Sequence, residues 1–314
     1  MTIDIKKAQD VYKDAGESVI FTTLMLKRQD LKTEKDAIAE FSDMSNSIIN
    51  SMRIRDPEAQ AHIAWGFGSD AWDHLFPDAP KPKELENFKE IKGPKYTAVS
   101  TPGDIFIHVR SKKMAVCYEL MDQFMGILRP ITTVEDETHG FRYIEGRAII
   151  GFIDGTENPA GIDSMDYTLI DNKEDPEFEN GSYAFAQKYI HNMEAWKKLK
   201  TEDQEKAIGR HKFSDRELPD EEKLPNAHNV ASKDEEGGVE HKIVRMNVPF
   251  SDPAKDITGT YFIGYSKDFA ITNRMLTNMF TKSDRLLDFS TPITGNLFFI
   301  PSKTTLEKIA DGDY

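Results

Sequence analysis

The sequence predicts an α+β fold in which one pattern of strands and helices is used twice. Two observations carry it. Apolar strand-like runs and helical stripes alternate in both halves of the chain. The third strands also correspond: Gly103-Asp-Ile-Phe-Ile107 matches Gly259-Thr-Tyr-Phe-Ile263, and each leads through a polar turn to a methionine-rich helix. Two β-α-β units per half, with antiparallel pairing, describe a ferredoxin-like half repeated. The expected architecture is two antiparallel β-sheets packed together with peripheral helices, of the dimeric α/β-barrel kind. The halves are expected at 1–145 and 146–314, the second carrying the functional site.

In chain order, Val19 to Leu26 is rich in β-forming residues and reads as a buried strand. Thr33, with Asp36 three residues on, reads as a helix cap, and Ile38, Phe41, Met44, Ile48 and Met52 recur at helical spacing. His62 to Phe67 and Asp104 to Val109 read as further strands. Met114, Cys117, Met121, Phe124, Met125 and Leu128 then form the stripe of a second helix. The apolar run Arg147 to Phe152 reads as a strand. In the second half the strands are Tyr183 to Tyr189, Lys242 to Pro249, Gly259 to Tyr265 and Asn296 to Ile300, with a helix through Ile271, Met275 and Met279. Residues 197–240 break the pattern, being crowded with charge and poor in apolar anchors. They read as a solvated insertion, or as a cover over one face of a cofactor.

Composition narrows the partners. Forty basic residues against 54 acidic ones give a net charge of −14, which repels nucleic acid and anionic membranes. The single cysteine, Cys117, excludes an intramolecular disulfide and argues against a thiolate metal cluster. The N-terminus has no continuous apolar stretch, and no run approaches the ~20 apolar residues of a membrane span. A cytoplasmic protein is expected.

The chemistry concentrates in Gly151 to Pro159, GFIDGTENP. Asp154-Gly155-Thr156 is turn chemistry, and by residue type alone Asp154 serves a turn as readily as a reaction. A phosphotransferase nucleophile would want a second aspartate two residues earlier, where Phe152 stands.

GFIDGTENP resembles the signature of the dye-decolourising peroxidases at every position. Further blocks resemble the same family: Gly181-Ser-Tyr183, Gln187-Lys-Tyr189 with His191-Asn192 and Trp196, Ile208-Gly-Arg210 with Lys212, and Thr291 to Ser302. The resemblance spans most of the chain and looks like the short intracellular bacterial subgroup. It implies a peroxidase with non-covalent haem b, since no C-x-x-C-H is present to attach it. Such an enzyme reduces hydrogen peroxide and oxidises dye-like or phenolic donors by one-electron steps through a high-valent iron-oxo species.

The resemblance also assigns residues. His228, in Leu224 to His228, falls at the place of the axial iron ligand, and Asp288, in Leu286 to Ser290, at that of the acid behind it. Arg245 and Asn247 match the distal strand, and two-residue alternation puts both on one side. Arginine on an interior strand is costly unless paired, and a peroxide pocket with Asp154 as proton shuttle would satisfy it. Gly155 and Thr156 flank that pocket, Phe262 gives an apolar wall, and Arg210 faces the haem propionates. His241, opening a strand, is expected to point elsewhere. A carboxylate beside Arg245 is expected to stay charged to low pH, favouring turnover at mildly acidic pH. Tyr189 and Trp196 are surface candidates for passing electrons from bulky dyes. The alternative function is a haem-binding protein that carries haem or releases its iron, with incidental peroxidase activity. The resemblance further implies a homo-oligomer, and the end LEKIADGDY shows no obvious encapsulin-targeting tail.

Overall fold

The computed structural model describes residues 3–159, 161 and 163–314. In the first half β1 (Ser18–Leu26), β2 (His62–Phe67), β3 (Ile105–Ser111) and β4 (Thr132–Phe141) alternate with α1 (Leu31–Arg55) and α2 (Met114–Leu128). In the second, β5 (Ser182–His191), β6 (Val244–Asp252), β7 (Ile257–Ser266) and β8 (Asn296–Ile300) alternate with the long insertion and α3 (Phe269–Thr281). The strand order β6-β7-β5-β8-β2-β3-β1-β4 repeats one antiparallel arrangement in each half. The halves join edge to edge at one residue pair, Phe299 with Phe67.

The sheet curls until its two ends meet. Gly140 of β4 lies so close to β6 that a Cβ there would stand 2.4 Å from Val248 Cγ1. Any side chain would push that seam apart. Across the interior the halves face each other: Phe21 stacks on Tyr261 with centroids 4.0 Å apart, and Phe106 on Phe298 at 4.9 Å. This shared interior is one core. A second lies outside the first-half sheet, where Phe41 of α1 packs on Trp65 and Phe124 of α2 packs on Phe41.

Three sequence expectations are corrected. The first helix starts at Leu31, because the Asp30 carboxylate accepts the Lys32 N–H at 3.2 Å and the Thr33 hydroxyl at 2.5 Å. Thr33 is a donor to the cap and not the cap itself. Residues 147–152 form no strand; only an isolated bridge pairs Arg147 with Ile153. Gly151 there takes φ +96°, a left-handed conformation that ends any strand and suits glycine. The apolar side chains of this loop pack instead on Trp196 and Ile208. The fourth strand of the first half is Thr132–Phe141, which carries Val134, Glu135 and Glu137 outward and turns Asp136 inward to bind Lys188 at 2.7 Å. No helix among the described residues is long and apolar enough to cross a membrane.

Candidate active site

On the outer face of the second half, the insertion and α3 roof a cavity enclosing about 1610 Å³ of atom-free space, part of it open to solvent. Its floor is the sheet. Along β6, Val244, Met246 and Val248 are buried in the interior core, so Arg245 and Asn247 fall on the opposite face and line the cavity. Phe262, paired with Asn247 across β7, supplies an apolar patch beside them.

The signature loop is fastened to this strand by a residue the sequence left without a role. β6 ends the chain of paired strands, so its outer edge offers unpaired peptide groups. Asn158 takes them as a neighbouring strand would. Its Nδ2 donates to the Arg245 carbonyl at 2.6 Å, and its Oδ1 accepts the Arg245 N–H at 3.0 Å. With the loop so held, Asp154 Oδ1 accepts from Asn247 Nδ2 at 2.9 Å. Gly155 and Thr156 complete this wall, Gly155 with φ +78°.

Burial raises the Asp154 pKa above the ordinary carboxylate value. The Asn247 hydrogen bond and the Arg245 charge oppose the shift without cancelling it. The sequence expectation had the opposite sign. It counted the arginine and not the loss of water around the carboxylate.

Elsewhere on the lining, His228 opens the short helix His228–Ala231. Its Nδ1 lies 2.7 Å from Asp284 Oδ2. Asp284 is completely buried, and its other oxygen accepts the Leu286 N–H at 2.8 Å. The acid behind His228 is thus Asp284, not Asp288. Asp288, at the end of the 3-10 turn Arg285–Asp288, is bound by Lys95, Tyr96 and Arg285 and is absent from the lining. Burial would raise the Asp288 pKa, but Lys95, Tyr96 and Arg285 bring it below the ordinary value. Asn226 ties down this corner as well: its side-chain Nδ2 donates to the Ser283 carbonyl, and its backbone carbonyl accepts the Arg285 N–H.

Arg210 reaches the lining through a cluster of acids, with Glu157 at 2.5 Å and Glu217 at 3.0 Å. Contrary to expectation, His241 also lines the cavity, its Nδ1 2.9 Å from Asp234. That carboxylate is shared with Arg274, which binds it through Nε and Nη2. A third histidine, His191, bonds Ser290 and Thr260 at 2.8 Å each, and burial pushes its pKa down to about 4. It is neutral at neutral pH. Tyr189 and Trp196 are buried, so neither is a surface residue; Tyr189 lines the cavity and Trp196 backs Phe152.

Comparison with known proteins gives consistent matches. Residues 9–142 match the family model "Dyp-type peroxidase, N-terminal", and 145–305 match "Dyp-type peroxidase, C-terminal". A dye-decolorizing peroxidase of Brevibacterium linens is 41% identical over 309 residues, covering 96% of this chain and 82% of the relative. The crystal structure of a dye-decolorizing peroxidase from Bacteroides thetaiotaomicron superposes with a TM-score of 0.91 at 50% identity, covering 96% of this chain and 98% of that one. A Rhodococcus jostii DypB variant solved in complex with heme superposes with a TM-score of 0.89 at 38% identity, covering 96% and 97%.

Proposed function

The chain belongs to the Dyp-type peroxidase family and is a haem peroxidase, and from that premise we propose which of its residues perform the reaction. The cavity suits haem by the chemistry of its lining. Ile150, Phe152, Phe262, Leu276 and Met279 offer an apolar bed, and Arg210, Lys233 and Lys242 offer cations for carboxylates. Among the described residues no three His, Cys, Asp or Glu side chains converge on a metal position. A metal that brings its own ring of ligands needs only one imidazole from the protein.

His228 is the proposed iron ligand. With Nδ1–H donating to Asp284, Nε2 keeps its lone pair for the metal, and the carboxylate makes the imidazole a stronger donor. His241 is a weaker candidate because Arg274 already neutralises Asp234. Bound haem supplies an iron that exchanges electrons with peroxide and with organic donors. Asp154 takes a proton from one peroxide oxygen and returns it to the other, the one that leaves as water. Arg245 stabilises the negative charge that grows on the leaving oxygen. Asn247 holds the Asp154 carboxylate by its 2.9 Å bond. Arg210 faces the propionates, and Gly155, Thr156 and Phe262 shape the pocket.

One observation carries this reading. A single cavity is lined both by a carboxylate-backed imidazole and by an acid–amide–arginine group. A haem carrier has no use for the second. Stopped-flow absorption of the haem-loaded protein mixed with near-stoichiometric peroxide tests it. A fast spectral change is expected, slowed roughly 100-fold or more in Asp154→Ala and Arg245→Leu with haem retained. Slow bleaching of the wild type would give the lead to a haem-handling role. The family relationship also supports a homo-oligomer, a cytoplasmic location and a division into units 1–145 and 146–314.

A further inference from the structure

A second cavity, with about 1160 Å³ of atom-free space, meets the first at Ile153, Asp154, Gly155, Arg245 and Asn247. It opens beside the seam where the end of β4, the edge strand β6 and residues 12–16 come together. Its charge runs against the protein's net −14. Lys13, Arg142, Arg147 and Arg245 line it, against Asp14, Glu145 and Asp154.

Several of these charges are already committed. Arg147 binds Glu145 and the carbonyls of Gly151 and Lys212, and Asp154 accepts from Asn247. Lys13, Arg142 and Arg245 have no carboxylate within ion-pair distance among the described residues. Lys13 Nζ rests 4.9 Å from the Tyr12 ring, and Arg142 folds over Gly146, where a Cβ would meet its Nη2 at 2.7 Å. Arg245 acts on Asp154, so two uncommitted cations, Lys13 and Arg142, face one uncommitted carboxylate, Asp14. The rings of Tyr12, Phe141 and Tyr143 stand beside them.

A cavity with unpaired cations and aromatic walls selects an anion with a flat apolar body. We propose that this cavity binds an aromatic carboxylate of the hydroxybenzoate class as a reducing donor, its carboxylate held by Arg142 and Lys13 and its ring lying toward the Asp154 wall. The donor role rests on the peroxidase reading; the binding itself does not. Each phenol gives up one electron and its phenolic proton, and two phenols reduce one hydrogen peroxide to two waters.

Calorimetric titration of the resting haem-loaded enzyme, without peroxide and at low ionic strength, tests the site with 4-hydroxybenzoate and its neutral methyl ester. The acid is expected to bind about tenfold more tightly than the ester. The double variant Lys13→Gln/Arg142→Gln is expected to erase that preference while the peroxide-driven spectral change keeps its wild-type rate. Equal affinity for acid and ester overturns the proposal, and so does a preference that survives the double variant. If the wild type fails to respond to peroxide but the preference appears and is erased, the site stands and the peroxidase assignment of residues falls.

Discussion

The two halves share one strand order and differ in the segment that leaves their first strand. After β1 comes α1, a 25-residue helix whose Phe41 and Ile49 are sealed against the sheet. After β5 come residues 192–243, and the corresponding face of β5, β6 and β7 is left lining a cavity. The same topology makes a core where an amphipathic helix lies down on it. It makes a site where a charged segment arches over it. The proposed reaction site therefore falls in one half because of the connection after its first strand, not because of the sheet.

The largest expected effects break this comparison at its two centres. His228→Ala, in the arching segment, should lower haem affinity more than 100-fold and leave the melting temperature of the haem-free protein within a few degrees. Haem absorbance per protein after gel filtration reads the first, and calorimetry the second. Phe41→Ala, in the sealed half, should do the converse, costing about 3–5 kcal/mol of stability. Its folded fraction should bind haem normally in the same assays. Loss of haem binding in both variants would mean that the halves are not separable in this way.

A smaller effect separates the acid that caps the 3-10 turn, Asp284, from the one that ends it, Asp288. Asp284→Asn should weaken haem retention roughly 10–100-fold. Asp288→Asn, which loses only a partly exposed clamp to Lys95 and Tyr96, should change it by less than threefold. Equal effects would return Asp288 to the site.

The smallest effect is a shift along the pH axis. Asp154 must be deprotonated to accept a proton, and burial raises its pKa, so the rate of reaction with peroxide is expected to fall as pH drops through a value higher than that of an ordinary aspartate. Asn247 and Arg245 hold that value down. Asn247→Ala should therefore move the acid limb to still higher pH, read as stopped-flow rates between pH 4 and 8. A downward shift would mean that Asn247 stabilises the protonated form.

Seven of the eight main strands and all three long helices were legible, because each carries an apolar run or stripe that burial imposes. β4 was not legible. Its inward positions are Asp136, Thr138 and Gly140, the last kept bare by the approach of Val248, and its only β-branched aliphatic residue, Val134, points to solvent. The run at 147–152 misled for the opposite reason, being apolar in order to pack a loop onto Trp196. At the site, side-chain alternation put Arg245 and Asn247 on one face, the signature singled out Asp154, and a separate block of the family resemblance singled out His228; all four line one cavity. Asp284 and Asn158 escaped because their partners lie 56 and 87 residues away, and no local pattern announces such a bond.

The shared interior has a consequence for the birth of the molecule. The stacks of Phe21 on Tyr261 and Phe106 on Phe298 join residues made early to residues made last. A nascent first half can settle α1 and α2 on its outer face while the ribosome is still at work, yet its inner face stays wet until β7 and β8 emerge. Sequence repeat and cooperative unit are thus different things here. Translation of the second half is an interval in which Phe21 and Phe106 are open to capture by other chains.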